Sequence, residues 1–240
     1  MKIRTSLFLL PLLAIALPLQ AATLEYHDGH GDIGIGGDTT ALELHFHFED
    51  GINESTPSVD AEYAPNEVYI RVPDASKFTT TGDIPSLGTT TGDDIWVLPS
   101  ANTVGMPFLG VASEELSNPP FTAMSLQLTG FIGPAGGEFL LSQTVLTTTT
   151  EHMKSIDGVA NPDTWDLVVG GHDHADYAFS KEGVYQLEFT ATGTYAGGQA
   201  TDTATFTFVV GSSTPIPEPS TGALALIGGL LAAAGRRRRG

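Results

Sequence analysis

Residues 42–49 read Leu-Glu-Leu-His-Phe-His-Phe-Glu, an alternation of apolar and polar side chains with a period of two. Successive side chains of a β-strand point to opposite faces, so this stretch predicts a strand with one apolar and one polar face. The leucines and phenylalanines would pack in a core, whereas His45 and His47 would share the polar face.

The same pattern recurs throughout residues 23–211. Further short strands are predicted at Val68–Val72, Ile95–Leu98, Ser125–Leu128 and Glu138–Leu141, each bounded by Pro, Gly, Asp or Asn. Val184–Ala191 and Thr203–Val210 predict an antiparallel pair around a loop that contains Gly197 and Gly198. No helical stripe of three turns precedes the C-terminal tail. The sequence therefore predicts an all-β domain, an antiparallel two-sheet β-sandwich of immunoglobulin-like or jelly-roll-like type.

The N-terminus predicts export. Lys2 and Arg4 precede an apolar stretch at 7–19, and Ala21 and Ala22 offer small residues for cleavage. This order of charge, apolar stretch and small residues is typical of a secretory signal peptide, predicted at 1–22.

The C-terminal tail combines a short motif, an apolar run at 220–235 and a basic cluster; motif and cluster comprise Pro217, Glu218, Pro219, Arg236, Arg237, Arg238 and Arg239. As a helix the run would reach roughly 22 to 24 Å, short of the ~30 Å hydrocarbon core, which predicts a weak anchor. The arginines would keep its end on the cytoplasmic side.

This order of motif, span and arginines resembles the PEP-CTERM sorting signal of Gram-negative bacteria. The resemblance implies an exosortase-type processing enzyme as a partner, initial anchoring in the inner membrane and final placement at the cell surface or in the extracellular matrix. Four segments are expected: the signal peptide at 1–22, the β-sandwich at 23–211, a linker with the motif at 212–219, and the hydrophobic, Arg-rich tail at 220–240.

Charge and cysteine content narrow the function further. Residues 23–211 contain 27 acidic side chains but only four basic ones, Arg71, Lys77, Lys154 and Lys181, which leaves a net charge of about −23. Such a surface repels nucleic acid and attracts cations, although solubility outside the cell explains it equally well. The chain has no cysteine, which excludes disulfides, thiolate metal sites and cysteine-based enzymes.

Six of the seven histidines form three close pairs: His27 with His30, His45 with His47, and His172 with His174. Residues i and i+2 of a strand project from the same face roughly 6.5 to 7 Å apart, so such a pair can offer two imidazoles to one ion. The first pair lies in a glycine-rich segment, residues 26–32, where the backbone is expected to fold closely around a site.

Zinc is the ion predicted for these pairs, because neutral imidazole suits it well. The neighbouring carboxylates Asp28, Asp32, Asp173 and Asp176 are candidate ligands or hydrogen-bond partners of the ligands. Each pair also has a plainer interpretation, since His45 and His47 could be solvent-exposed and His172 and His174 could only brace a turn. Convergence of the three pairs is an assumption at this point.

A second resemblance rests on several segments of the body. These segments look like the surface-anchored domain called choice-of-anchor M. They are Ile95–Pro99, the Gly130–Pro134 turn, Trp165, Gly171-His172-Asp173-His174 through Phe179, and Gly183-Val184-Tyr185. Gly29–Asp32 resembles the opening of that domain. The resemblance implies that His30, His172 and His174 are functional and that the role is metal capture or storage near a metal-uptake system. Asp176-Tyr177 departs from the Asn-Trp more usual there.

Several single motifs resemble those of specific functional classes, but each lacks an essential feature of its class. Gly29, Gly31 and Gly34 have the spacing of a dinucleotide fingerprint, but no helix can follow. Asp28, His30 and Asp32 imitate the start of a calcium hand, which lacks its glycine and its closing Glu. No serine-hydrolase elbow is present, and adjacent exposed acids do not make a glycosidase pair.

Two classes of function remain. The favoured prediction is a non-catalytic envelope protein that binds zinc or a similar ion through the histidine pairs. The alternative is a structural or adhesive β-module of the extracellular matrix, with calcium or no metal and with extracellular polysaccharide as a candidate partner. A metal-dependent hydrolase is the only credible enzyme.

Overall fold

The computed structural model describes residues 24–38, 40–48, 61–117, 119–159 and 163–216. All of them belong to one compact unit, Ala21–Pro217. The predicted signal peptide and the predicted C-terminal helix lie outside the described residues. In the part of the chain described, we find no helix whose length and hydrophobicity would let it cross a membrane.

The largest sheet has six strands, in the spatial order β1-β5-β16-β15-β9-β12. Their bounds are β1 Leu24–Tyr26, β5 Val68–Val72, β9 Phe121–Ile132, β12 Thr164–Leu167, β15 Gly183–Tyr195 and β16 Gly198–Val210. β15 and β16 pair antiparallel over their whole length, which confirms the predicted C-terminal pair. β5 lies parallel to both β1 and β16.

The second sheet has five strands, in the order β11-β10-β14-β7-β6. Their bounds are β6 Lys77–Thr79, β7 Asp94–Leu98, β10 Phe139–Val145, β11 Thr148–Lys154 and β14 Asp176–Phe179. Every pairing within this sheet is antiparallel. Two short 3-10 turns, Asp74–Ser76 and Pro85–Leu87, are the only helical segments among the described residues.

The third sheet also has five strands, in the order β13-β8-β2-β3-β4. Their bounds are β2 Gly29–Gly37, β3 Leu42–Phe48, β4 Ala61–Tyr63, β8 Pro107–Ala112 and β13 His172–His174. β3 is the strand predicted from its alternation, and its two leucines and two phenylalanines are buried. β2 runs antiparallel to β3 and parallel to β8.

The all-β prediction is confirmed, but the number of sheets and the purely antiparallel pairing were wrong. The apolar faces of both smaller sheets pack against β16. The ring of Phe46 on β3 meets that of Phe206 edge to face at 4.8 Å, and Phe179 on β14 lies 5.3 Å from Phe208. The layer facing the large sheet is therefore divided into two sheets, and an immunoglobulin-like or jelly-roll-like arrangement is not confirmed.

The division falls at a single residue, Ala175, which separates β13 of the third sheet from β14 of the second. Side-chain hydrogen bonds fix the backbone on both sides of it. Gln143 Nε2 donates to the carbonyl of His174 at 2.7 Å, and Asp176 Oδ1 accepts from the Ser100 amide at 2.6 Å. Period-two patterning reports only which face of a strand is apolar, so it could not reveal where the chain changes sheets.

The glycine-rich segment at residues 26–32 was predicted to fold closely around a site, and its residues 29–32 begin the extended strand β2. Glycine usually weakens a strand because it has no side chain to pack. Here neighbouring rings fill that space: a Cβ on Gly31 would lie 2.5 Å from the ring of Phe48, and one on Gly34 would collide with the ring of His45.

Candidate metal centre

Four side chains meet on the polar face of the third sheet. His30 and Asp32 come from β2, and His172 and His174 come from β13. One potential ligand atom from each lies within 4.8 Å of the others. We call these four residues the His30 cluster.

The strand register explains the convergence. β8 lies between β2 and β13, and Gly110 on β8 is directly opposite both Asp32 and His174. A Cβ on Gly110 would collide with Asp32 Oδ1, and it would lie 2.8 Å from His172 Nε2 and 3.1 Å from His174 Cε1. The missing side chain at Gly110 therefore leaves the space into which residues from the two flanking strands lean.

The polar atoms are spaced closely. His172 Nε2 lies 2.9 Å from Asp32 Oδ1, and His30 Nε2 lies 3.4 Å from His172 Nε2 and 3.8 Å from Asp32 Oδ2. A tetrahedral zinc ion with ligands at ~2.0–2.1 Å keeps its donor atoms roughly 3.3 Å apart. These three side chains already have about that spacing.

Burial makes the cluster costly without a cation. Asp32 is only 3% exposed, and its Oδ1 is buried without a hydrogen bond of ordinary geometry. Polar atoms buried in this way cost free energy unless they find a partner. The rings of His30 and His172 keep 19% and 22% of their side-chain surface exposed, which gives an ion access from solvent.

Burial shifts the pKa values of two potential ligands, Asp32 and His174, in opposite directions. Burial raises the pKa of Asp32 above its ordinary value, although the nearby His172 and His30 act in the opposite direction. Burial and, to a smaller extent, the neighbouring His172 lower the pKa of His174 to about 4. His174 is therefore neutral near pH 7, which is the form that binds a metal ion.

Residues outside the cluster hold its rings. The ring of Phe108 stacks on that of His174, with centroids 3.6 Å apart and an interplanar angle of 6°. Glu114 Oε2 lies 3.6 Å from His172 Nδ1, on the side of the ring away from the cluster. A carboxylate in that position favours a proton on Nδ1 and leaves Nε2 free to bind a metal.

The seventh histidine, His152, belongs to no pair and is linked through Gln143 to the backbone of His174. His152 stacks on Trp165 with ring centroids 4.5 Å apart, and its Nε2 lies 3.0 Å from Gln143 Oε1. Gln143 in turn donates to the His174 carbonyl. Sequence reasoning missed Gln143, Glu114 and Phe108, and only Gly110, a glycine inside an apolar strand, carried a recognisable signal of close approach.

The remaining predicted ligands lie elsewhere. His27 is exposed and belongs to neither of the two ligand groups found among the described residues, and Asp28 Oδ1 accepts hydrogen bonds from the Gly29 and Gly105 amides. Asp173 lies between the two histidines of β13, so alternation directs it to the opposite face. Asp176 caps the Ser100 amide.

On β3, His45 belongs to a different group of potential ligands, whereas His47 is next to the His30 cluster. His45 forms a second group with Glu62 and Glu115, in which one potential ligand atom from each residue lies within 4.8 Å of the others. His47 is on the same face, with its ring 6.5 Å from that of His45, and it is opposite Asp32 in the β2–β3 register. The three sequence pairs thus contribute to two clusters instead of one.

Comparisons with known proteins identify the tail. Residues 215–239 match the PEP-CTERM protein-sorting motif. This motif is a substrate signal for exosortase-type processing, so the chain is an exported protein that undergoes membrane-anchored sorting in a Gram-negative bacterium. Curated proteins and solved structures yield no match. The resemblance to choice-of-anchor M is not supported by these findings and stays a prediction.

Proposed function

We propose that this protein is a non-catalytic, envelope-attached metal-binding protein that captures zinc through His30, Asp32, His172 and His174. The observation that carries the proposal is the convergence of three imidazoles and one buried carboxylate over Gly110. Three imidazoles with one carboxylate are a donor set that suits zinc.

The number of donors favours binding over catalysis. Catalytic zinc sites usually have three protein ligands and leave a fourth position for water, whereas four protein ligands close a tetrahedral shell. The His30 cluster offers four. A hydrolase would require one of them to stay away from the metal, and Asp32, held between His30 and His172, is badly placed to do so.

The surroundings favour capture from outside the cell. The strongly acidic surface raises the local concentration of cations, and the partly exposed rings of His30 and His172 give them a route to the site. The sorting motif would hold the domain on the outer side of the membrane. Final attachment to the cell surface, with a metal-uptake system as recipient of the ion, completes this proposal.

Zinc binding by the purified full chain, measured by competition with a chromophoric chelator, tests the proposal. We expect one tight zinc ion per chain and a loss of affinity of at least ~100-fold in the double variant His172→Ala, His174→Ala, because half of the ligands are removed. The matched control is His27→Ala, which removes an exposed imidazole outside both clusters. Equal zinc affinity in all three proteins, or a response to calcium alone, would favour the adhesive module instead.

A further inference from the structure

The group formed by His45, Glu62 and Glu115, here called the His45 cluster, is assembled from three separate parts of the third sheet. His45 lies on β3, Glu62 on the adjacent β4, and Glu115 in the turn that follows β8. Glu62 is directly opposite His47, and therefore diagonal to His45 on the same face. Sequence spacing gives no hint of this association.

Two glycines clear the surface beneath the cluster. Gly34 is opposite His45, and a Cβ there would collide with the imidazole ring; a Cβ on Gly36 would collide with Glu115 Oε2. The imidazole and the carboxylate therefore occupy the space that side chains at these two positions would fill. The same device at Gly110 underlies the His30 cluster.

The imidazole of His45 is buried and aimed at the carboxylate. His45 is 5% exposed, and its Nε2 is inaccessible to solvent and makes no hydrogen bond of ordinary geometry, although it lies 2.9 Å from Glu115 Oε1. A buried imidazole nitrogen in this state is poorly compensated by protein alone. The side chain of Glu115 is 42% exposed, so the cluster opens to solvent on that side.

The turn that carries Glu115 is firmly held. Ser113 Oγ donates to the Val168 carbonyl at 3.0 Å and accepts from the Gly170 amide at 3.1 Å, and the Ser113 amide donates to Gly171 at 2.8 Å. Glu114 and Glu115 follow directly, and they contact His172 and His45 respectively. One anchored turn thus serves both clusters.

We propose that His45, Glu62 and Glu115 form a second cation site, which accepts a harder divalent ion of the Mn²⁺ type than the His30 cluster does. Two carboxylates balance the charge of a divalent ion, and carboxylate oxygens suit manganese better than the imidazole-rich set of the His30 cluster does. Three protein ligands leave coordination positions for water, as an octahedral ion requires.

Manganese binding followed by electron paramagnetic resonance tests this assignment. The measurement uses the full chain carrying His172→Ala and His174→Ala, so that the His30 cluster does not contribute. We expect one bound Mn²⁺ with a nitrogen coupling in the pulsed spectrum, loss of that coupling in His45→Gln, and at least ~10-fold weaker binding in Glu62→Gln, Glu115→Gln.

Both Glu→Gln changes preserve side-chain shape at exposed positions, so folding should be unaffected. The control, Asp166→Asn with Glu182→Gln, removes two exposed carboxylates elsewhere and should leave binding unchanged. The proposal would be overturned if Glu62→Gln, Glu115→Gln and the control bound manganese with equal affinity and the spectrum showed no nitrogen coupling. His45 and Glu115 would then form only an ion pair. Zinc binding in Glu62→Gln, Glu115→Gln tests the His30 cluster separately, so the two proposals can fail independently.

Discussion

Two polar faces of the molecule arise from the same alternating pattern and differ in how their polar atoms are satisfied. On the large sheet, Thr190 Oγ1 lies 3.0 Å from Thr129 Oγ1 and 2.8 Å from Thr203 Oγ1. On the third sheet, Asp32 and His45 have buried polar atoms without a hydrogen bond of ordinary geometry. On the first face these hydroxyl groups hydrogen-bond to one another. On the second face the buried polar atoms lack such hydrogen bonds, and a bound cation would supply the missing partner.

The difference lies in what stands beneath the side chains. The threonine ladder of β15 and β16 is a face of short hydroxyl groups that bond to one another across strands. On the third sheet, Gly34, Gly36 and Gly110 leave gaps over which larger rings and carboxylates lean from neighbouring strands. Glycine inside a strand weakens the strand, and here it also leaves the space in which the two clusters assemble. The comparison therefore predicts that changes on the two faces will have different consequences.

The largest effect is expected for Gly110→Ala, because the added methyl group occupies the space between Asp32, His172 and His174. Zinc at ~100 times its dissociation constant should stabilise the wild-type protein by about 2.7 kcal/mol, which is a rise in melting temperature of about 5–10 °C. The variant should lose this rise. Thermal unfolding with and without zinc measures it, and Thr203→Val on the large sheet should retain it.

Asp32→Asn should separate stability from binding. Because burial raises the pKa of Asp32, the environment disfavours its charged form, and a neutral amide of the same shape relieves that cost. We expect the metal-free variant to be more stable by about 1 kcal/mol and to lose the zinc-dependent stabilisation. Chemical denaturation in chelator checks the first effect. A destabilised metal-free variant would mean that the ion pair with His172 outweighs the burial of the carboxylate.

Glu114→Gln should have an intermediate effect. Its carboxylate approaches the Nδ1 of His172 and would favour the tautomer whose Nε2 can bind the proposed zinc ion. Loss of such a contact typically weakens metal affinity by about 10-fold or more. Chelator competition measures the change, and Glu43→Gln, an exposed carboxylate on β3, is its control. Identical affinities in the two variants would show that Glu114 does not orient His172.

The smallest net effect is a pH dependence of the metal-free protein, because His174 and Asp32 change its stability in opposite directions. The unfolded chain protonates His174 near pH 6.5, whereas the folded protein does so only near pH 4. The contribution of His174 to stability is therefore complete above about pH 6.5 and is lost as the pH falls toward 4. Asp32, with its raised pKa, acts in the opposite direction.

The variant His174→Gln isolates the contribution of His174. Between pH 6.5 and 4 the wild-type protein should lose more stability than the variant, as measured by thermal unfolding in chelator. Parallel pH profiles would show that burial does not suppress protonation of His174. Zinc binding itself depends strongly on pH, because protons compete with zinc for the imidazoles. All buffers must therefore contain chelator, so that only the metal-free protein is measured.

Much of the fold followed from local pattern. The alternation at residues 42–48 gave β3 and its buried face, and the two C-terminal apolar stretches gave β15 and β16. The division of the second layer did not follow, since it depends on a change of sheet at Ala175 that no periodicity marks. The strand at residues 29–32 was not predicted within the glycine-rich segment at 26–32, because the ring that fills the space beside Gly31 belongs to Phe48 on another strand.

The sequence predicted the type of site, a histidine-rich metal centre, better than it predicted which residues form it. The residues His30, His172 and His174 were named from their pairing and from resemblance, and Asp32 from its proximity in sequence. What joins them is the pairing of both β2 and β13 with β8, two long-range contacts that a single sequence does not reveal. For the same reason His27 and Asp176 were expected near the metal, and Glu62, Glu114 and Glu115 were not.

The most direct test of the central claim is X-ray absorption at the zinc edge. The protein should carry Glu62→Gln and Glu115→Gln, so that only the His30 cluster is loaded, with one equivalent of zinc. We expect a four-coordinate ion with three imidazole nitrogens and one carboxylate oxygen at about 2.0–2.1 Å. A spectrum without imidazole scattering, or with six oxygen ligands, would contradict the assignment of this cluster as a zinc site.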